Sequence, residues 1–245
     1  MYEMFSLIKL DVPFENVKIH NPSVKELFEL FETEGTMIEV LQLMTMSLRD
    51  ILKLNNHPEI TEFQLFQTLA LSEKDVGNIG KYTRYKMIQF LLLLFPGYNL
   101  EVFNDHFILK KDDSVVLISN SNFDRLKEIL GDMFNLKKLL SAEDKSFNPQ
   151  GERAKKIAQM IEEGRKKVSE LKGEANNANI FETYLSILSV GFGIPPDTLS
   201  EHLTLYSLVK IYKRFAAKIA WDIDIKCRLA GGSPAEEPEN WMAQM

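Results

Sequence analysis

What most limits the fold of this chain is the spacing of its apolar residues, which recur at three and four positions over most of its length and switch to a period of two only locally. The first spacing lays side chains along one face of an α-helix, and the second lays them on one face of a strand. Asn21-Pro22-Ser23 opens the first helical stretch. Ser23 with Glu26 fits a capping box, and Val24, Leu27, Phe28 and Phe31 share a face, which predicts a helix ending near Gly35. Ile38, Leu41, Met44, Leu48, Ile51 and Leu52 predict one helix over 37–54, closed by Asn55-Asn56-His57-Pro58. Thr61 with Gln64 caps a third helix through about Leu71, and a fourth runs from about Lys81 to Leu94 before Pro96-Gly97.

Between Tyr98 and Ile118 the period changes. The β-rich runs Leu100–Phe103, Phe107–Leu109 and Val115–Ile118 are separated by Asn104-Asp105-His106 and by the polar stretch 111–114, which predicts a three-stranded meander. A looser alternation of Phe5, Leu7, Ile8 and Leu10 predicts a short strand before Pro13, and Ser121 with Asp124 predicts a helix start running through about Phe134. The expected fold is mainly α with a small antiparallel β-meander: an α+β unit over 1–140 and a helical C-terminal unit.

The polar stretch 141–151, broken by Pro149 and Gly151, reads as a linker. Residues 152–172 read as a basic connecting helix whose apolar or small residues Ala154, Ile157, Ile161, Gly164, Val168 and Leu171 alternate gaps of three and four, the narrow seam of a coiled-coil-like helix. Over 173–232 a helical unit follows, with Ile180–Val190, a hinge at Gly191–Pro196, and a long helix from about Leu203 to Leu229. Tyr206, Val209, Tyr212, Phe215, Ile219 and Ile223 share one face of that last helix. Residues 233–245 form an acidic tail with too few adjacent apolar residues to fold alone.

Composition bears on function mainly by exclusion. A net charge of −6 sets the whole chain against nucleic acid phosphates and anionic membrane surfaces. The strongest apolar run, Met87 to Phe95, is about half of a membrane span, and the first twenty residues lack the pattern of a signal peptide. Cys227 is the only cysteine, which excludes an internal disulfide and fits a reducing compartment.

No arrangement of residues carries chemistry. Gly77–Thr83 fails as a phosphate loop because Asp75 stands where the first glycine belongs and Tyr82 follows Lys81. His20, His57, His106 and His202 are too far apart in sequence for metal-ligand spacing, so no metal or other cofactor is expected. Asp222 and Asp224, two apart on a helix, point to different faces, and Gly191-x-Gly193 is too short for a dinucleotide fingerprint. Arg153–Lys172 holds seven Lys/Arg, but three interleaved glutamates and the lack of aromatics weigh against nucleic acid. The candidates left are contact residues for a protein partner: the seam Ile157, Ile161, Val168 and Leu171, and Trp241 as an aromatic anchor in the polar tail.

Several stretches, taken in order, resemble one family of bacteriophage proteins: 20–30 (HNPSVKELFEL), 98–130, 148–168 (NPQGERAKKIAQMIEEGRKKV) and 203–232. The pattern is densest in the last, through Tyr206, Tyr212, Phe215, the run Asp222–Ile225 and Leu229-Ala230-Gly231. It resembles the tail assembly chaperones of phages of Gram-positive bacteria. The Gly231-Gly232 pair and the EEPEN tail depart from the family pattern. The resemblance implies a non-catalytic protein of the infected host's cytoplasm. Its partner would be the tape measure protein or tail tube subunits, with neither cofactor nor catalytic residue, and Tyr206, Tyr212 and Phe215 would join the contact residues. A minor structural protein of the virion would carry the same pattern; a small enzyme or anti-host-defence protein is the reading from another class.

Overall fold

The computed structural model describes residues 7–54, 57, 59–72, 79–103, 105–135 and 179–231. The expected linker 141–151, the basic helix with Ile157, Ile161, Val168 and Leu171, and the tail with Trp241 lie outside them. In chain order the elements are β1 (Val12–Phe14), β2 (Val17–Ile19), α1 (Val24–Leu30), α2 (Glu34–Thr45), α3 (Leu48–Ile51), α4 (Glu62–Leu71), α5 (Lys81–Leu94), β3 (Asn99–Val102), β4 (His106–Lys111), β5 (Ser114–Ser119), α6 (Phe123–Phe134), α7 (Ile180–Phe192), α8 (Pro196–His202) and α9 (Leu205–Leu229). The fold is mainly α with a small antiparallel β component, as the two periods predicted.

Two helix starts stand where their capping boxes put them. Both predicted capping boxes form, Ser23 with Glu26 and Thr61 with Gln64, and α5 occupies its expected span. The meander forms in the order β3-β4-β5, with Leu100 opposite Leu109 and Leu109 opposite Val116.

Other boundaries moved. Helix α1 stops at Leu30 because Thr33 caps a new helix by accepting from Thr36 N (3.2 Å), so Gly35 sits in the first turn of α2. The single helix expected over 37–54 is broken at Met46, where Ser47 caps α3. That break is held from a distance: the Glu62 carboxylate, the first residue of α4, accepts from Leu48 N (2.8 Å) and Arg49 N (3.3 Å). Asn122, not Ser121, is the N-cap of α6.

The expected strand before Pro13 is replaced by a two-stranded ribbon in which Pro13 lies mid-strand opposite Lys18. Each strand of a lone ribbon has one edge outside the ladder, so a missing N–H there costs little. The hinge at Gly191–Pro196 is shorter than expected, since Gly191 and Phe192 end α7. Gly193 takes the left-handed C-cap (φ +66°), and Pro196 starts α8, a helix the sequence reading missed.

Phenylalanine knits the core. Phe63 and Phe66 of α4 meet Phe107 of β4 and Phe123 of α6 at centroid separations of 4.9–5.8 Å, and Phe90 of α5 touches Phe31 and Phe134. Residues 181–209 complete the same core through Phe181, Leu185, Leu188, Leu199, Leu205, Leu208 and Val209. The N-termini of α1 and α9 lie side by side, where Val24 N donates to Leu203 O (2.8 Å) and Ser23 bridges Thr204. Lys25 pairs with Glu201 across that seam (2.7 Å).

Candidate functional site

Two carboxylates, buried Glu34 and half-buried Glu62, sit at helix starts, where a negative charge meets backbone N–H groups that have no partner within the helix. Glu34 of α2 accepts from Phe181 N (3.1 Å) and Glu182 N (2.7 Å), so it caps α7 and ties that helix to the body. Burial raises its pKa above the ordinary carboxylate value, although the amides of Glu182, Phe181 and Ile180 pull the other way. Burial by itself would raise Glu62 too. There the Lys127 ammonium (2.7 Å) and the Leu48 and Arg49 amides outweigh it and hold the carboxyl below its usual range.

Lys127 is the strongest chemical candidate. It is buried beside a groove lined by Met46, Gly131 and Asn135, and burial lowers its pKa against the pull of Glu62. A lysine of that kind can act as a nucleophile when its amine faces a substrate. Here the ammonium donates to Met46 O and to Glu62, closing the C-terminus of α2 and bracing the carboxylate that starts α3. Its contacts serve the helix break.

The four histidines stay apart. His20 lies between Asp11 (3.2 Å, on Nδ1) and Glu26 (3.0 Å, on Nε2), and carboxylates on opposite edges of one ring cannot converge on an ion. His57 pairs with Glu59, and His106 pairs with Asp105 while stacking on Phe103. Among the described residues no three His, Cys, Asp or Glu groups are placed to hold a metal, and no helix is long and apolar enough to cross a membrane.

What stands out is an apolar surface on the arm formed by α7 and α9. Of the three expected contact residues in α9, Tyr206 is packed inside, 3% exposed, with Lys210 Nζ 5.4 Å over its ring. It belongs to the interior instead of a binding face. Tyr212 and Phe215 are half-buried against α7: Tyr212 stacks on Tyr184 at 3.8 Å, and Phe215 meets Phe192 edge-on at 5.3 Å. Gly191 is required at this crossing, since a Cβ there would overlap the Phe215 ring.

Beyond Phe215, α9 runs on past the end of α7. Ile219 (42% exposed), Ile223 (56%) and Leu229 (83%) face outward, and Val190 (83%) and Phe192 (47%) of α7 adjoin the crossing. Charges of both signs flank these side chains in the outer half of α9: Lys218, Lys226 and Arg228 with Asp222 and Asp224. A smaller apolar row, Val115 and Leu117 of β5, lies on the outer face of the meander. Spacing had marked Ile219 and Ile223 only as part of one amphipathic face. Their exposure depends on where α7 stops, which no local pattern in α9 records.

No family model matches the chain, and neither a curated protein nor a solved structure matches it.

Proposed function

We propose that this chain is a non-catalytic binding protein of bacteriophage morphogenesis, a tail assembly chaperone that keeps the tape measure protein or tail tube subunits soluble in the host cytoplasm until the tube assembles. The observation that carries the reading is the outer half of α9. It presents Ile219 and Ile223 to solvent on one face within the stretch, 203–232, that most resembles those chaperones. An exposed apolar ridge of this kind suits the apolar face of a long amphipathic client helix, docked through residues spaced at three and four. Phe215 and Tyr212 sit at the inner end of the ridge, where they brace it and border the contact.

The test is co-expression of this chain with a phage tape measure protein. The client is expected in the soluble fraction only when the chain is present. Ile219→Asp together with Ile223→Asp abolishes that rescue while leaving the chain's own melting temperature unchanged. A client equally soluble with and without the chain overturns the reading. So does stoichiometric recovery of the chain from purified mature particles, since a chaperone leaves before the virion is complete.

A further inference from the structure

The two edges of the meander are finished differently. In the order β3-β4-β5 each outer strand has one side outside the ladder, and the register fixes which backbone groups point that way. On β5 they belong to Val115, Leu117 and Ser119, and side-chain amides meet them. Asn16 Nδ2 donates to Val115 O (3.4 Å), Asn122 Nδ2 donates to Leu117 O (2.7 Å), and Ser119 N donates to Asn122 Oδ1 (3.0 Å). Amides that occupy an edge keep another strand from pairing there.

On β3 the outward groups belong to Leu100 and Val102, because Phe103 N turns inward to His106 O (2.9 Å). Among the described residues nothing bonds the outward N–H or C=O of either. The core face of the sheet is unfinished at the same edge. Val102 lies opposite Phe107, which is fully buried, yet Val102 is 40% exposed. Helix α4 crosses beneath the sheet from β5 to β3: Thr61 bonds Asn120 just past β5, Phe63 and Phe66 touch Phe107 of β4, and Gln67 Nε2 donates to Phe103 O just past β3. Leu71 stands one turn beyond Gln67 on the same side of the helix, about 6 Å further along. Strands lie about 4.8 Å apart, so the last turn of α4 underlies the place where a fourth strand would run. Leu71 is 49% exposed there.

We propose that the open edge of β3 docks an extended segment of a partner protein, which joins the meander as a fourth, antiparallel strand with apolar residues opposite Leu100 and Val102 and a basic residue opposite Glu101. The two apolar residues exchange backbone hydrogen bonds with β3 and lay their side chains over Leu71 and Val102. The basic residue between them points to the outer face. Glu101 Oε2 there accepts from Lys110 (2.6 Å), while Oε1 has no partner among the described residues, so a second cation completes the carboxylate. A second copy fits worse, since pairing Leu100 with Val102 in both directions sets Glu101 against Glu101. The site shares no residue with the α9 ridge and does not depend on what binds that ridge.

The probe is a fluorescein-labelled peptide, acetyl-Lys-Val-Lys-Val-Lys, titrated with the full chain and read by anisotropy. Saturable binding is expected. Methylating the two valine amides, which face β3, should weaken it by at least about tenfold through the loss of two hydrogen bonds. Methylating the lysine amides, which face away, should change it little, and glutamate in place of lysine should weaken it. Val102→Pro removes an outward N–H that bonds nothing among the described residues, and Leu71→Ser strips the apolar floor; each should abolish binding while circular dichroism and melting stay close to those of the parent. Absence of saturable binding overturns the proposal. Equal sensitivity to either pattern of methylation overturns it too, as does binding that survives Leu71→Ser and Val102→Pro. A dimer in sedimentation that Val102→Pro dissolves assigns the edge to a second copy and likewise overturns it.

Discussion

The two halves of α9 follow one apolar period and have opposite fates. In the inner half Leu205, Leu208 and Val209 are at most 1% exposed, closed off by the shared core, whereas in the outer half Ile219 and Ile223 face solvent. The difference lies in the neighbours. Helix α7 ends at Phe192, and Phe215 is the last residue of α9 that it meets through an aromatic contact. An amphipathic stripe therefore states that a face has to be covered, and the length of the neighbouring helix determines how much of it is.

The largest effect should come from the inner half. Leu208→Ala removes a fully buried side chain and is expected to cost about 2–5 kcal/mol, read as a lower denaturation midpoint. A loss below about 0.5 kcal/mol would mean that the inner half is no better anchored than the outer.

Next comes the tie that sets α7 against the body. Glu34→Ala strips the acceptor from Phe181 N and Glu182 N and is expected to cost about 1–2 kcal/mol. Glu34→Gln separates the acceptor from the charge. Because burial raises the Glu34 pKa, the folded state holds this proton more tightly than the unfolded chain. Its contribution is fully present below the ordinary carboxylate value and is lost as pH rises through the raised folded value. Denaturation midpoints of Glu34→Gln between about pH 4 and pH 7 should show that loss removed. A parallel pH profile in the two proteins would exclude a burial cost at Glu34.

The crossing itself is probed by Gly191→Ala. The added Cβ overlaps the Phe215 ring, and overpacking of this kind costs about 1–3 kcal/mol. In a Phe215→Ala background the same change should become stabilising, since the overlap is gone and Ala is the better helix former. The sign reversal in a double-mutant cycle is the readout. The smallest effect belongs to the outer half: Ile223→Ser should change the melting free energy by less than about 0.5 kcal/mol. A larger loss would show the ridge packed within the fold.

Local signals in this sequence located what local physics decides. Capping boxes at Ser23/Glu26 and Thr61/Gln64, the helix between Gly80 and Phe95 and the meander were all legible, because a cap or a change of period is written within a few residues. The misplaced boundaries have more than one cause. Met46 breaks a continuous helical pattern because Glu62 and Lys127 supply partners for the freed backbone groups, and both arrive from other elements. Helix α8 begins at a Pro-Pro pair that reads equally well as a hinge. Of the expected contact residues, Tyr206 proved to be interior, while the periodic face already contained Ile219 and Ile223 without saying that they are exposed.

The sequence by itself determined the fold class, most of the helices, the strand order of the meander and the existence of an apolar face along the last helix. Each of these follows from spacing and capping within one segment. The tertiary structure alone decided which part of that face is covered, which carboxylates start which helices, and where the interior ends, because those outcomes depend on residues far apart in sequence meeting in space. Glu34 and Phe181 lie 147 positions apart, and no period within either helix could have joined them.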